Sequence, residues 1–400
     1  MASTLHTVLT APALASLGLG WAAYAATLLA HPLLEGPLAA PPLVSVLVAI
    51  VLVIVVCAFG VVAQAEHLAH RLGDPYGTLV LTLSIVLIEV ILISAIMLGP
   101  GEHATIARDS VMAVSMIILN LVVGAALLVG GLRHGGLRAN TTGVSAYLSV
   151  LVVLTAVAFA VPGLIGRDGA YTPGQAVPIA AVTVVLYAFF LHRQMGAQRA
   201  DFQEPGPAGD GPTAVPPSEG TTAGGPGTHG SVATVSSATP TSMASVLAEH
   251  RTELLARTAV LVLTVVPIVL LSHDMAALLD EVLYRAGAPV ALSGLLIALI
   301  VFLPETITTL RAAQSAEMQR VSNLCHGALV STVGLTIPAV LVIGLLTGQT
   351  VTLAESPTNL VLLGTSLLLT VATFSGQRAT ALHGASHLLL FVVYGLTVFA

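Results

Sequence analysis

Residues 77–98 read Gly-Thr-Leu-Val-Leu-Thr-Leu-Ser-Ile-Val-Leu-Ile-Glu-Val-Ile-Leu-Ile-Ser-Ala-Ile-Met-Leu, an apolar run with one carboxylate, Glu89, just past its middle. A helix of about 22 such residues is long enough to cross a bilayer. An ionised glutamate there costs roughly 2.5–3.5 kcal/mol on insertion scales, so a chain that keeps one is expected to use it. Glu305 stands in a similar apolar run, Leu-Ile-Val-Phe-Leu-Pro-Glu-Thr. The pair predicts an ion or proton site inside a membrane.

The composition indicates a polytopic membrane protein. The mean hydropathy is +0.97 and only 8% of the residues are charged, whereas soluble proteins carry about 25%. The formal charge of −6 gives no indication of a nucleic-acid partner. The sequence contains no H-E-x-x-H, G-x-S-x-G or C-x-x-C motif and no P-loop lysine. We therefore expect neither an enzyme nor a resident cofactor, and predict that the only bound species are transported ions.

Eleven apolar runs predict eleven transmembrane helices. They lie at roughly 11–30, 43–65, 76–98, 108–132, 144–166, 174–192, 255–272, 289–312, 321–346, 359–376 and 379–400. With a cytoplasmic N-terminus, all of the 13 arginines except Arg108, Arg167 and Arg285 fall on the cytoplasmic side. This bias follows the positive-inside rule and places the C-terminus outside. The predicted location is a bacterial inner membrane.

A segment rich in Gly, Pro, Ser and Thr, residues 194–253, divides the chain. It cannot bury enough apolar surface to offset the entropy of ordering, so we predict a flexible cytoplasmic linker. Residues 1–42 are assigned to an extra helix, and residues 43–193 and 254–400 to two five-helix repeats. A shift of five spans reverses orientation, which makes the repeats inverted. The predicted fold class is an all-α polytopic membrane protein.

Glu89 and Glu305 occupy the second span of their respective halves, and inverted repeats can bring them together near the membrane midplane. A carboxyl group in apolar surroundings favours its neutral form, whereas a bound cation favours the ionised form. Protons and a cation then compete for the same oxygens, which is the physical basis of exchange. The alternative is a structural glutamate that bonds to a neighbouring Ser or Thr.

Pro304 strengthens the second position. It has no N–H, so the carbonyl of Ile300 loses its helical partner and can ligate a cation where the helix lines a cavity. A kink that serves only packing is the alternative. No proline or glycine stands close to Glu89 in the third span.

Other polar residues in the spans are secondary candidates, although Ser and Thr in membrane helices often bond only to their own backbone. They are Thr82 and Ser84 beside Glu89, Asn120 in the fourth span, and His326, Ser331, Thr332 and Thr336 in the ninth. Glu66 and His70 stand four residues apart at the cytoplasmic end of the second span and form either a cation entrance, a pH sensor or a solvated helix end. His383 and His387, which have no acidic companion, are interpreted as packing or interface residues.

The run from Ala65 to Glu89 resembles the first alpha-repeat of calcium/proton antiporters in the calcium:cation antiporter superfamily, and is most similar to their bacterial calcium (sodium, potassium)/proton branch. The second half resembles the second alpha-repeat at Pro304-Glu305, Gly327, Ser331 and Pro338. The resemblance implies eleven helices, two inverted five-helix repeats after one extra helix, and cation exchange at the two glutamates.

The sequence departs from the Gly-Asn-x-x-Glu pattern of that family. The Gly and Asn positions hold Ile85-Val86 in the first repeat and Val301-Phe302 in the second. Two amide ligands are therefore missing from a set that should supply calcium with six to eight oxygens. The main hypothesis is calcium/proton exchange at Glu89 and Glu305 by alternating access. The alternative is sodium or potassium/proton exchange at the same site.

Two further classes stay open. A cation channel is a remote alternative that would need a continuous polar lining. A membrane scaffold without transport would make the linker its working part.

Overall fold

A computed structural model describes residues 8–34, 39–72, 104–205, 243–289, 291–376 and 378–399, and seven positions between 83 and 97. Its α-helices are, in chain order, α1 (Ala11–Leu34), α2 (Ala40–Leu72), α3 (Ile106–Met116), α4 (Val123–His134), α5 (Thr141–Thr155), α6 (Val161–Ile165), α7 (Pro173–Met195), α8 (Met243–Ala286), α9 (Ala291–Val301), α10 (Leu303–Gln314), α11 (Met318–Thr347), α12 (Pro357–Ser375) and α13 (Ala381–Val398). Two π-helical segments, Ile117–Val122 and Ala156–Ala160, join α3 to α4 and α5 to α6.

Within these ranges, nine helices are long and apolar enough to cross a membrane, and the bent pair α9–α10 makes a tenth span. Each corresponds to a predicted apolar run. Most of the remaining run, 76–98, lies outside the described residues. The positions that are described there, Leu83, Val86, Glu89, Val90, Ile93, Ser94 and Met97, are helical, and Val86, Glu89, Ile93 and Met97 are buried.

Helix ends follow local chemistry. Asn140 begins α5 by accepting the backbone N–H of Thr142 at 3.1 Å, and Ser356 begins α12 by accepting that of Asn359 at 3.2 Å. Such side chains satisfy backbone donors that the first helical turn leaves free. Gly348, with φ +71°, ends α11 in the left-handed conformation that glycine adopts without strain.

The buried apolar residues form two clusters. The larger one is built by helices α3 to α7 and α9 to α13 and includes Ile93 and Met97. The smaller one is built mainly by α2 and α8, with Ile54 and Ile268 among its members, and α1 packs against both helices. We call α1, α2 and α8 the side unit. The side unit meets the rest of the protein chiefly at α9 and α10.

Both ends of the range predicted as linker are folded. Residues 199–202 form a 3-10 turn, and α8 already begins at Met243. Phe202 is 2% exposed and packs edge-on against Tyr147 with ring centroids 5.1 Å apart. The structure therefore narrows the predicted flexible segment, and residues 206–242 lie outside the described ranges.

Candidate cation and proton site

Glu89 lies on a helical face that points into the protein, and only 4% of it is exposed. Its Oε2 accepts a hydrogen bond from the Thr332 hydroxyl of α11 at 2.6 Å. Its Oε1 is buried and has no hydrogen-bond partner among the described residues. Glu89 therefore has one oxygen that is held in place and one that is available.

Glu305 sits in the first turn of α10, directly after a break in the span. Helices α9 and α10 meet there at an angle of 55°, with Phe302 between them. Pro304 cannot donate to the Ile300 carbonyl, so the ladder of helical hydrogen bonds is interrupted where the chain bends. Both carboxylate oxygens of Glu305 are buried and find no partner among the other residues that the structure describes.

The two glutamates share one buried environment. Glu89 and Glu305 come from different halves of the chain, and each is less than 10% exposed. They are close enough to repel each other electrostatically when both are ionised. A bound cation relieves this repulsion, and protons relieve it equally well by neutralising the oxygens. The arrangement can therefore hold either species.

Two secondary candidates on α11 have hydrogen-bond partners other than Glu89. Ser331 accepts a hydrogen bond from the Tyr187 hydroxyl of α7 at 3.0 Å and donates to the Gly327 carbonyl. His326 pairs with the Ser322 hydroxyl through Nδ1 at 2.9 Å. Both side chains are fully buried, and these contacts place them in the packing between helices beside the glutamate pair.

Asn120 belongs to a separate buried polar network. It lies in the π-helical segment Ile117–Val122 and donates to the Ser366 hydroxyl of α12 at 2.7 Å. Its Oδ1 lies 3.4 Å from His387 Nδ1, and the other ring nitrogen of His387 lies 3.2 Å from the Thr373 hydroxyl. His387 therefore lies in a buried polar network between α12, α13 and the π-helical segment. His383 caps the start of α13 through Thr380.

The other sequence candidates are less well placed or not described. Thr82 and Ser84 lie outside the described residues, as does the side chain of His70. Glu66 is half-buried near the end of α2. A cation entrance at Glu66 and His70 therefore stays a prediction.

Thr332 is a contact residue of Glu89 that the sequence pattern ranks no higher than its neighbours. It was one of several hydroxyls in the ninth span, and nothing local separates it from Ser331 or Thr336. Its role depends on a contact between two residues 243 positions apart. Only the assumption of inverted repeats packed against each other would have pointed to it.

Two acidic residues outside the spans have shifted pKa values. Burial raises the pKa of Glu204, although its carboxylate accepts the backbone N–H groups of Gln319 and Arg320 at the start of α11. Burial also raises the pKa of Glu355, which the Asn359 amide and the Arg108 charge lower in part. Glu204 thus ties the segment after α7 to the helix that carries Thr332.

The chain is similar to known ion exchangers along most of its length. The sodium/calcium exchanger protein family matches residues 42–196 and 257–400. The sodium-potassium/proton antiporter ChaA of Escherichia coli (strain K12) is 32% identical over 346 residues, which is 86% of each chain.

Two solved structures share the fold. YfkE superposes with a TM-score of 0.65 at 15% identity, covering 96% of this chain and 99% of that one. The H+/Ca2+ exchanger CAX does so with a TM-score of 0.62 at 15% identity, covering 97% and 89%. The chain belongs to the sodium/calcium exchanger protein family, within the calcium:cation antiporter superfamily.

Proposed function

We propose that the protein is a cation/proton antiporter of a bacterial inner membrane, and that Glu89 and Glu305 form its exchange site. The observation that carries this proposal is the pair itself. Two glutamates from opposite halves of the chain are buried together, and three of their four oxygens have no hydrogen-bond partner among the other described residues. Unpaired carboxylate oxygens in a membrane interior are costly unless a transported ion or proton occupies them.

Exchange follows from competition for these oxygens. When the site opens to the side of low proton concentration, the carboxylates ionise and accept a cation. When it opens to the acidic side, protons displace the cation because both neutralise the same charge. Thr332 holds Glu89 in position throughout, and the break before Pro304 lets Glu305 project from the start of α10. The cation and the protons are then carried in opposite directions.

Calcium is the first candidate cation. Two ionised carboxylates balance its charge, so one calcium ion would exchange for about two protons. The Thr332 hydroxyl and the Ile300 carbonyl can add oxygen ligands to those of the glutamates. The family description also includes calcium exchange.

Sodium or potassium is the second candidate, and a specific observation favours it. The E. coli relative, 32% identical over 86% of this chain, is named a sodium-potassium/proton antiporter. The loss of the Gly-Asn pair in both repeats reduces the number of amide ligands, which weakens the case for an ion that wants six to eight oxygens.

Proton flux in everted membrane vesicles tests the proposal and separates the ions. The vesicle interior is acidified, calcium, sodium or potassium is added separately, and a pH-sensitive dye reports proton release. The account predicts a response to at least one cation that Glu89→Gln and Glu305→Gln abolish. Glu317→Gln, the same chemical change at an exposed residue paired with Arg320, serves as the control and should leave the response unchanged. Full proton flux in either site variant would contradict the proposal.

A further inference from the structure

The first helix is fastened to the middle of α8 by one side-chain hydrogen bond. Trp21 of α1 donates its indole N–H to the backbone carbonyl of Leu263 at 3.1 Å, across 242 residues of sequence. Trp21 is the single tryptophan of the chain. Both partners lie within helices that are long and apolar enough to cross the membrane.

The Leu263 carbonyl needs this donor because of Pro267. In an α-helix the carbonyl of residue 263 accepts the N–H of residue 267, and proline has none. A backbone carbonyl without a partner is expensive in a membrane, where no water can replace the missing bond. The indole of Trp21 supplies the donor from a neighbouring helix.

The surroundings of Trp21 are shaped for this close approach. A Cβ atom added to Gly20 would lie 3.0 Å from Pro267 Cγ and 3.0 Å from Cys57 Sγ, so a larger residue would crowd both α2 and α8. The Cys57 thiol in turn donates to the Ser16 carbonyl of α1 at 3.2 Å. Helix α1 therefore packs against both α2 and α8 at the level of Pro267.

Helix α8 connects this contact to the exchange site. The side unit packs against α9 through Ile297 and Ile300, and α9 runs directly into the 55° break that precedes Glu305. Helix α8 thus packs against the α9 half of the bent pair that carries Glu305.

We propose that Trp21 is a positioning residue for exchange. It donates to the Leu263 carbonyl, which Pro267 leaves without a helical partner, and so makes α1 a working part of the side unit. The proposal rests on the exchange function assigned to Glu89 and Glu305. It predicts that loss of the indole donor slows the conformational change that opens the site to the other side of the membrane. The affinity of the site for its cation should stay unchanged.

A double-mutant cycle tests this in reconstituted vesicles. Trp21→Phe removes the donor, and Pro267→Ala gives residue 267 an N–H that can satisfy Leu263 within the helix. We expect Trp21→Phe to lower the maximal exchange rate per folded transporter by about fivefold, the effect of losing one hydrogen bond, with an unchanged KM. In the Pro267→Ala background the same change should have no further effect. Tyr24→Phe, one turn along α1, is the control and should match the unsubstituted protein.

Several outcomes would overturn the proposal. A Trp21→Phe variant as fast as the unsubstituted protein would do so, and so would a loss of rate that is equally large in the Pro267→Ala background. If Trp21→Phe does not fold, the proposal requires that the double variant does, because its Leu263 carbonyl is satisfied. Failure of the exchange function itself shows separately, as absence of proton-coupled flux in the unsubstituted protein.

Discussion

At the scale of single residues, the site depends on how few partners its carboxylates have. Thr332 is the one described side chain that hydrogen-bonds to Glu89, and Glu305 has none. Carboxylates as deeply buried as these are tolerated only when each charged oxygen is neutralised by a proton or bound to a cation or a hydrogen-bond donor. Each neighbouring hydroxyl or carbonyl should therefore influence how tightly a cation is held.

Thr332→Val removes the hydroxyl while keeping the side-chain volume. Because a hydrogen bond to a charged group contributes about 1.5–3 kcal/mol, we expect KM for the cation to rise about tenfold or more, with a smaller change in maximal rate. Thr332→Ser should restore most of the affinity. The measurement is the cation dependence of proton flux. Thr365→Val in the exposed face of α12, where Thr365 bonds to its own helix, is the matched control, and an unchanged KM in Thr332→Val would contradict the prediction.

Glu204 should make the docking of residues 199–205 depend on pH. Because burial raises the pKa of Glu204 in the docked state, the docked state binds the proton more tightly than the undocked state. Its stabilising contribution is present below the ordinary value of 4.5 and is lost as the pH rises through the raised pKa. Hydrogen exchange in this segment, corrected for the intrinsic pH effect, should become less protected over that window.

Glu204→Gln provides the control for this pH effect. The amide does not titrate, so the protection of residues 199–205 should lose its pH dependence. Protection that increases as the pH rises from 4.5, or an unaltered profile in Glu204→Gln, would show that another group governs the docking.

At the scale of helices, hydropathy and proline positions predicted much of the architecture. The apolar length of each run sets its span, so predicted and observed ends of most described spans differ by only a few residues. The run at 255–272 is an exception because α8 continues to Ala286. His273 and Asp274 end the apolar pattern, yet Met275 and Leu279 are buried beyond them. Tertiary packing extends this helix past the point where composition stops.

The break at Pro304 is either a bend that transport needs or a kink that serves only packing, and a substitution at Pro304 distinguishes the two. Pro304→Ala restores an N–H for the Ile300 carbonyl, so the span should straighten and the protein should become thermally more stable. Transport should fall several-fold, because Glu305 no longer projects from a helix start. The measurements are the melting temperature in detergent and the rate of exchange. Pro178→Ala, in the interior of α7, is the control, and undiminished transport in Pro304→Ala would support the packing alternative.

At the scale of the whole molecule, what the sequence could not reveal is long-range pairing. Inverted halves were predicted from the five-span shift, and on that basis Glu89 and Glu305 were expected to meet. The partners of Asn120 could not be predicted, since Ser366 and His387 belong to the other half of the chain. Likewise, Glu204 in a Gly- and Pro-rich region gave no local sign that it meets the start of α11. Helices are encoded locally, whereas such contacts depend on how the two halves meet.

The linker offers a test of the scaffold alternative. Replacing residues 206–240 by a Gly/Ser sequence of equal length keeps Glu204 and α8 in place. If exchange occurs within the membrane helices, cation-driven proton flux should be largely unchanged, since the glutamate pair and Thr332 are untouched. If the protein were instead a scaffold that acts through its linker, this replacement should abolish its function in the cell, and the unsubstituted protein should show no cation-driven proton flux.

The central claim is that a cation and protons compete for the same two carboxylates. Isothermal titration calorimetry of the purified protein with calcium, sodium or potassium tests this claim. Repeating the titration in buffers of different ionisation enthalpy measures the number of protons released on binding. The account predicts net release, about two protons for calcium, and a clear reduction in Glu89→Gln and in Glu305→Gln. Cation binding without proton release, or undiminished release when both glutamates are replaced, would contradict it.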